Sequence, residues 1–162
     1  MSDQLNSLFK SAGSAVRSFS DGFKKNFIDV NPFDVARVLD NVAIKKSQYT
    51  TERNVESIIY KALDIAFGNV HRQYSIGGYL PLKVDIDVAD GQVGLEIKLA
   101  KNLETVCIER LFGQVLYYSK RTYKKNLIVL VVGTEKEYNP VIKEVEAIVN
   151  EQGITFYYLH VR

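Results

Sequence analysis

Leu127-Ile128-Val129-Leu130-Val131-Val132 is an unbroken aliphatic run in which four of the six residues are β-branched. β-branched side chains pack well on a pleated surface, and six residues suit a strand better than a helix. The run is continuous rather than alternating, so both faces of that strand must be covered. A sheet covered on both sides needs helices in two layers, which excludes an open one-sided sheet and a helix bundle.

The flanking sequence supplies those layers. Thr50 or Thr51 caps a helix carrying Val55, Ile58, Ile59, Ala62, Leu63 and Ala66, and Gly68 closes it. A short strand follows over 70–76, then a Gly77-Gly78 turn. Strand patterns at 82–88 and 93–99 flank Asp90-Gly91, a strong hairpin signal. Helical periodicity returns over 103–121 through Val106, Leu111, Val115 and Tyr118. Asn139-Pro140 opens a last helix through Val141, Val145 and Ile148, ended by Gly153, before a final strand over 154–161. The predicted order is α-β-β-β-α-β-α-β, an α/β fold with a mixed sheet.

Ahead of this core, residues 1–49 read as a separate helical arm and linker, with 50–162 as the core domain. Leu5, Leu8, Phe9, Ala12, Val16, Phe19, Phe23 and Phe27 recur at helical spacing and form one apolar stripe over 3–27. Such a stripe most often packs on its own domain, a second subunit or another partner. Asn31-Pro32 then starts a short helix through Val35, Val38 and Leu39, and 44–50 reads as a linker.

Composition excludes several function classes. Apolar residues make up 46% of the 162, enough for a packed core and too many for a disordered chain. The single cysteine, Cys107, excludes an intrachain disulfide framework and a cysteine-built zinc site, and is expected to be reduced and packed. Twenty-one Lys and Arg oppose 19 Asp and Glu, so any nucleic-acid binding must come from a local patch. No stretch is long and apolar enough to cross a bilayer or serve as a signal-peptide core. The expected protein is soluble and cytoplasmic, with no stable membrane insertion.

The hairpin is where chemistry is expected. Asp85 and Asp87 share one face of its first strand, and Glu96 and Lys98 share one face of its second. A turn at Asp90-Gly91 brings Asp85 and Glu96 together, with the register open by a residue or two. Two carboxylates and an ammonium on apolar strands suit a hard, oxygen-loving cation. A hairpin with one wet face would carry the same residue types.

The context around them resembles the PD-(D/E)xK nuclease superfamily. The likeness lies in Asp85-Ile86-Asp87-Val88, then Leu95-Glu96-Ile97-Lys98, then Gly113-Gln114-Val115-Leu116-Tyr117-Tyr118, in the matching element order. Val84 stands where that family commonly has proline. The resemblance implies a restriction-endonuclease-like core, with Asp85, Glu96 and the Ile97 carbonyl as metal ligands and Lys98 as the catalytic lysine. Asp87 is the substitute for Asp85 if the register shifts. The family's helix acid falls on Glu52 or Glu56, which share a helical face, with Glu52 ranked first. Glu52-Arg53 and Gly77-Gly78 are similar to the archaeal Holliday-junction resolvases, and Gln114-x-x-x-Tyr118 to the RecB-like nucleases.

Arg110, Gln114 and Tyr118 can share one helix face, where the amide and the guanidinium suit phosphate. Lys120, Arg121, Lys124 and Lys125, with tyrosines interleaved, form the densest basic strip and join Lys101 as candidate DNA contacts. The implied activity is a Mg2+-dependent deoxyribonuclease, with Mn2+ able to substitute. Cutting both strands of a duplex needs two sites, which suits a homodimer. The alternative is a non-catalytic DNA-binding or assembly protein on the same scaffold.

Overall fold

A computed structural model of the chain describes residues 29–77 and 81–162. The helix expected over 3–27, and Gly78 of the expected turn, lie outside the described residues. The elements are α1 (Pro32–Leu39), α2 (Glu52–Phe67), β1 (Val70–Ser75), β2 (Lys83–Val88), β3 (Val93–Leu99), α3 (Thr105–Tyr118), β4 (Leu127–Gly133), α4 (Pro140–Glu151) and β5 (Thr155–His160). From α2 onward they follow the predicted order.

The helix ends are set by local chemistry. Asn31 accepts from the backbone N–H groups of Phe33 and Asp34, while Asp34 accepts from Asn31, closing a reciprocal cap ahead of Pro32. Thr51 caps α2 through Asn54 N–H, and Gly68 leaves it at φ 74°, a left-handed turn that glycine adopts without steric cost. Asn139 caps α4 by accepting from the backbone N–H groups of Val141 and Ile142.

The five strands lie in the order β1-β2-β3-β4-β5. The first three form an antiparallel meander, and β4 and β5 add parallel to β3. β4 is buried along its whole length, as its aliphatic run requires. Ile128, Leu130 and Val132 point into one core layer with Val35 and Leu39 of α1 and Val55, Ile59 and Leu63 of α2. Leu127, Val129 and Val131 point into the other with Leu111 and Val115 of α3 and Ile142, Val145 and Val149 of α4.

Three local expectations change. The stretch over 44–50 is not a bare linker: Ile44 is fully buried and bridges Val161 in parallel, with Arg162 N–H donating to the Ile44 carbonyl at 2.9 Å. An aliphatic residue beside a sheet edge finds both a core and unpaired backbone there, whereas its Lys and Gln neighbours suggest only solvent. Cys107 is exposed rather than packed. The third helix ends its regular course at Tyr118, and Ser119–Tyr123 form a wider turn closed by Lys124 N–H on the Ser119 carbonyl at 2.8 Å. That turn drives Tyr123 into the core, where its hydroxyl donates to Asp87 at 2.7 Å.

The Tyr123 ring lies directly over Gly94; a Cβ there would sit 2.7 Å from its ring carbons. Gly94→Ala is therefore expected to lower unfolding free energy by about 1–3 kcal/mol through overpacking. Tyr123→Phe should cost a similar ~1–3 kcal/mol by stripping a donor from buried Asp87. Urea titration of both variants measures this, and wild-type midpoints would contradict the packing described.

Candidate metal and phosphoryl-transfer site

The site begins where the sheet comes apart. β2 and β3 pair at Val88↔Val93, Asp87↔Gly94 and Ile86↔Leu95, and the ladder stops there. Continuing that register sets Asp85 opposite Glu96. Instead of a backbone partner, the Ile97 N–H donates to the Asp85 carboxylate, Oδ2, at 2.7 Å. The side chain has replaced a ladder bond, so the strands can part without orphaning the donor. Both backbone groups of a strand residue face the same neighbouring strand, so the Ile97 carbonyl belongs to this opened seam.

Glu96 is 1% exposed. Its Oε1 accepts from Lys98 Nζ at 2.7 Å. Its Oε2 is buried and has no hydrogen-bond partner among the described residues. Burial, followed by the neighbouring Asp85 charge, pushes the Glu96 carboxyl up to about 7. Asp85 is also raised, mainly by burial. Burial pushes the Lys98 ammonium down, yet the combined pull of Glu96, Asp85 and Glu52 carries it above the ordinary lysine value. One ammonium thus answers several carboxylates, leaving an excess of negative charge in a dry place. That excess, with an unpartnered oxygen, is unfavourable unless a proton or a bound cation joins it.

The two helix acids separate clearly. Glu56 is 6% exposed, and both its oxygens are occupied: Arg72 Nε donates to Oε1 at 2.7 Å and Gln73 Nε2 to Oε2 at 3.2 Å. Glu52, one turn earlier, is half-buried, and its charge is felt at both Glu96 and Lys98. Asp87 is fully buried between Tyr123 Oη and Gly91 N–H, so it secures the hairpin and its turn instead of substituting for Asp85. The face carrying Asp87 and Glu96 is not wet, which removes the solvated-hairpin reading.

Other expected contacts move. Tyr118 is fully buried, and its hydroxyl donates to the Lys83 carbonyl at 2.9 Å, so its ring does not face DNA. Burial, with Glu96 next, pushes its phenol up to about 12. Gln114 is held at this margin by a 3.3 Å bond from its amide to Tyr118 Oη, and Arg110 lies exposed one turn earlier. Lys101 donates to the carbonyls of Tyr49 and Thr50 at 3.1 and 3.0 Å and covers the Tyr49 ring, tying down the start of α2. Its ammonium is thereby spent on the chain itself.

Lys120, Arg121, Lys124 and Lys125 are exposed around the turn after α3. Lys125 runs over Gly153, four residues before Val129, the partner of Glu96 in the sheet. At Lys125 the basic strip therefore borders the start of the β3–β4 pair, at Gly94↔Leu127, two residue pairs before Glu96↔Val129.

Sequence reasoning missed Arg72 and Gln73. Both sit in a strand recognised only by its pattern. Gln73 takes a positive φ of 49° inside β1, which no residue pattern announces. Among the described residues, no three His, Cys, Asp or Glu side chains converge into a metal cage. Asp85, Glu96 and the Ile97 carbonyl are instead a sparse set of hard oxygens. That set fits Mg2+, which commonly takes one or two carboxylates and keeps several waters. Among the described residues no helix is long and apolar enough to cross a membrane.

The raised Glu96 carboxyl has a signed consequence for stability. In the unfolded chain it ionises near 4.5, and in the folded chain at about 7. Between those values the folded state holds the extra proton, so its contribution is present at low pH and is lost as pH rises through 7. In EDTA, wild-type unfolding free energy should fall more steeply over this window than that of Glu96→Gln, by up to about 1.4 kcal/mol per pH unit. Urea melts at several pH values measure the difference; parallel profiles would contradict it.

No protein-family model, curated protein or solved structure matches this chain, so the reading of the site rests on its own residues and geometry.

Proposed function

We propose that this chain is a divalent-metal-dependent nuclease that hydrolyses DNA phosphodiester bonds on a restriction-endonuclease-like core. The carrying observation is the buried, unpartnered Glu96 Oε2 beside Asp85 and Lys98, where β2 and β3 separate. The α-β-β-β-α-β order, with an antiparallel meander followed by a parallel β4, supports the same reading. So does Glu-x-Lys on the strand next to the acidic one.

Asp85 and Glu96 would hold the cation, Mg2+ or Mn2+ in its place, with the Ile97 carbonyl. When bound, such an ion polarises a phosphoryl oxygen and lowers the pKa of water. The Asp85 carboxylate is oriented by Ile97 N–H and Gln73 Nε2, so it offers its remaining lone pairs without rotating. Lys98 keeps its proton, held by two carboxylates, and serves as a fixed positive charge for negative charge developing at phosphorus. Glu52, with no ion pair among the described residues, is the acid available to accept a proton or orient water from the helix side. Glu56 supports the site through Arg72 and Gln73. The Gln114 amide and the Arg110 guanidinium, both on α3, would hold the DNA backbone, and the strip from Lys120 to Lys125 would extend that contact along the strand. The extended strip binds charge and carries no sequence reading.

The test is cleavage of linear, single-stranded and branched DNA with Mg2+ or Mn2+, and with EDTA. Wild type should cut only with metal. Glu96→Gln and Lys98→Met should lose at least about 100-fold in rate, the scale of removing one transition-state charge partner, with folded circular-dichroism spectra retained. Glu52→Gln should lose more than Glu56→Gln when both are compared at equal folded fraction. Full activity in purified, folded Glu96→Gln or Lys98→Met would sink the assignment. DNA binding with no metal-dependent cleavage by wild type would favour a non-catalytic binding protein.

A further inference from the structure

β1 and β2 keep one register along their length, with pairs at His71↔Asp87, Arg72↔Ile86, Tyr74↔Val84 and Ser75↔Lys83. One pair is missing, the one that would set Gln73 opposite Asp85. At that point Gln73 has φ 49°, a left-handed backbone inside a strand, where side chains other than glycine are strained. No residue is inserted and the pairing resumes on the same register. The distortion is therefore not a bulge that adjusts strand length.

Its effect is on the side chain. Gln73 Nε2 lies 3.2 Å from Glu56 Oε2 and 3.2 Å from Asp85 Oδ1. An amide nitrogen has two hydrogens, and here each has a carboxylate to meet. The opposite amide orientation would set an oxygen against two carboxylates, so the nitrogen assignment follows from charge. Glu56 is itself fixed by Arg72, whose Nη1 also donates to Ser57 Oγ at 3.1 Å. A continuous chain thus runs from Arg72 through Glu56 and Gln73 to Asp85, ending on the Ile97 N–H.

We infer that Gln73 is a positioning residue for the cation site, holding Asp85 in its ligating orientation from the edge strand at the expense of local backbone strain. The inference rests on the proposed metal reading of Asp85 and Glu96. Physically, a carboxylate ligand fixed by a donor outside the site loses less freedom on binding, and such outer partners typically matter about 10–100-fold in metal affinity. Both Asp85 oxygens receive one bond each, from Ile97 and from Gln73, and each retains lone-pair capacity.

Two variants separate this role from simple stability. Gln73→Gly removes the amide and relieves the backbone; Gln73→Ala removes the amide and leaves the backbone strained. The probe is Mn2+ alone, titrated into the full chain and followed by the electron paramagnetic resonance of the free ion, at a temperature where both variants are folded. Both should weaken Mn2+ binding by a similar factor of about 10–100, although they differ from each other in unfolding midpoint. The Mn2+ concentration for half-maximal cleavage should rise by the same factor. Wild-type affinity in both variants overturns the inference and leaves the metal reading standing. So does a loss confined to the less stable variant. Wild type that binds no Mn2+ up to millimolar concentration, unchanged by Asp85→Asn, overturns the metal reading itself and this inference with it.

Discussion

The bond from Ile97 N–H to the Asp85 carboxylate is the hinge of this structure. An antiparallel hairpin with good register zips to its end unless something satisfies the backbone groups left over. Asp85 does so, at 2.7 Å, and the β2–β3 ladder stops after Ile86↔Leu95. That single substitution opens a seam in the sheet, keeps the Asp85 carboxylate in the plane of the backbone it replaces, and leaves Glu96 and Lys98 facing the same gap. On the outer side, the Gln73 amide meets the same carboxylate at 3.2 Å.

The seam is electrostatically unfavourable by construction. Asp85 and Glu96 are both raised above the ordinary carboxylate range, chiefly by burial, and share one ammonium. A structural ion pair would be expected to satisfy both oxygens of its acid, yet Glu96 Oε2 has no hydrogen-bond partner among the described residues. Asp87, on the neighbouring strand, shows the contrast: as fully buried as Glu96, it takes a bond on each oxygen, from Tyr123 and Gly91. One aspartate holds the hairpin together while the other holds it apart. The near-neutral total of 21 cations against 19 acids then reads as a sum of two opposed regions, the carboxylates of the seam and the basic turn after α3.

Much of the scaffold could be read from the residues. The aliphatic run of β4 demanded two cover layers, Thr51, Asn139 and Gly68 marked helix ends, and Asp90-Gly91 marked the hairpin. Such features act over a few residues, through capping bonds, φ restrictions and the periods of helix and strand, so they survive without knowledge of the fold. The approach of Asp85 to Glu96 was also legible, because two strands joined by a short turn have few registers. Tyr118 and Lys101 were misplaced for the opposite reason. A tyrosine on a helix and a lysine after a strand carry no mark of which distant group they meet, here the Lys83 carbonyl and the loop at Tyr49 and Thr50.

The residue string by itself determined the layering, the element order and the identity of the acid–acid–lysine constellation on neighbouring strands, because all three follow from local geometry. Only the tertiary structure decided which acids are free to act. It occupied Glu56 with Arg72 and Gln73, committed Asp87 to Tyr123, and left Glu52 beside the seam. It also set Gln73 against Asp85 through a left-handed residue in an edge strand. Availability of a carboxylate depends on which partners from elsewhere in the chain arrive within about 3 Å of it. That is a property of packing between elements, and no spacing along the chain encodes it.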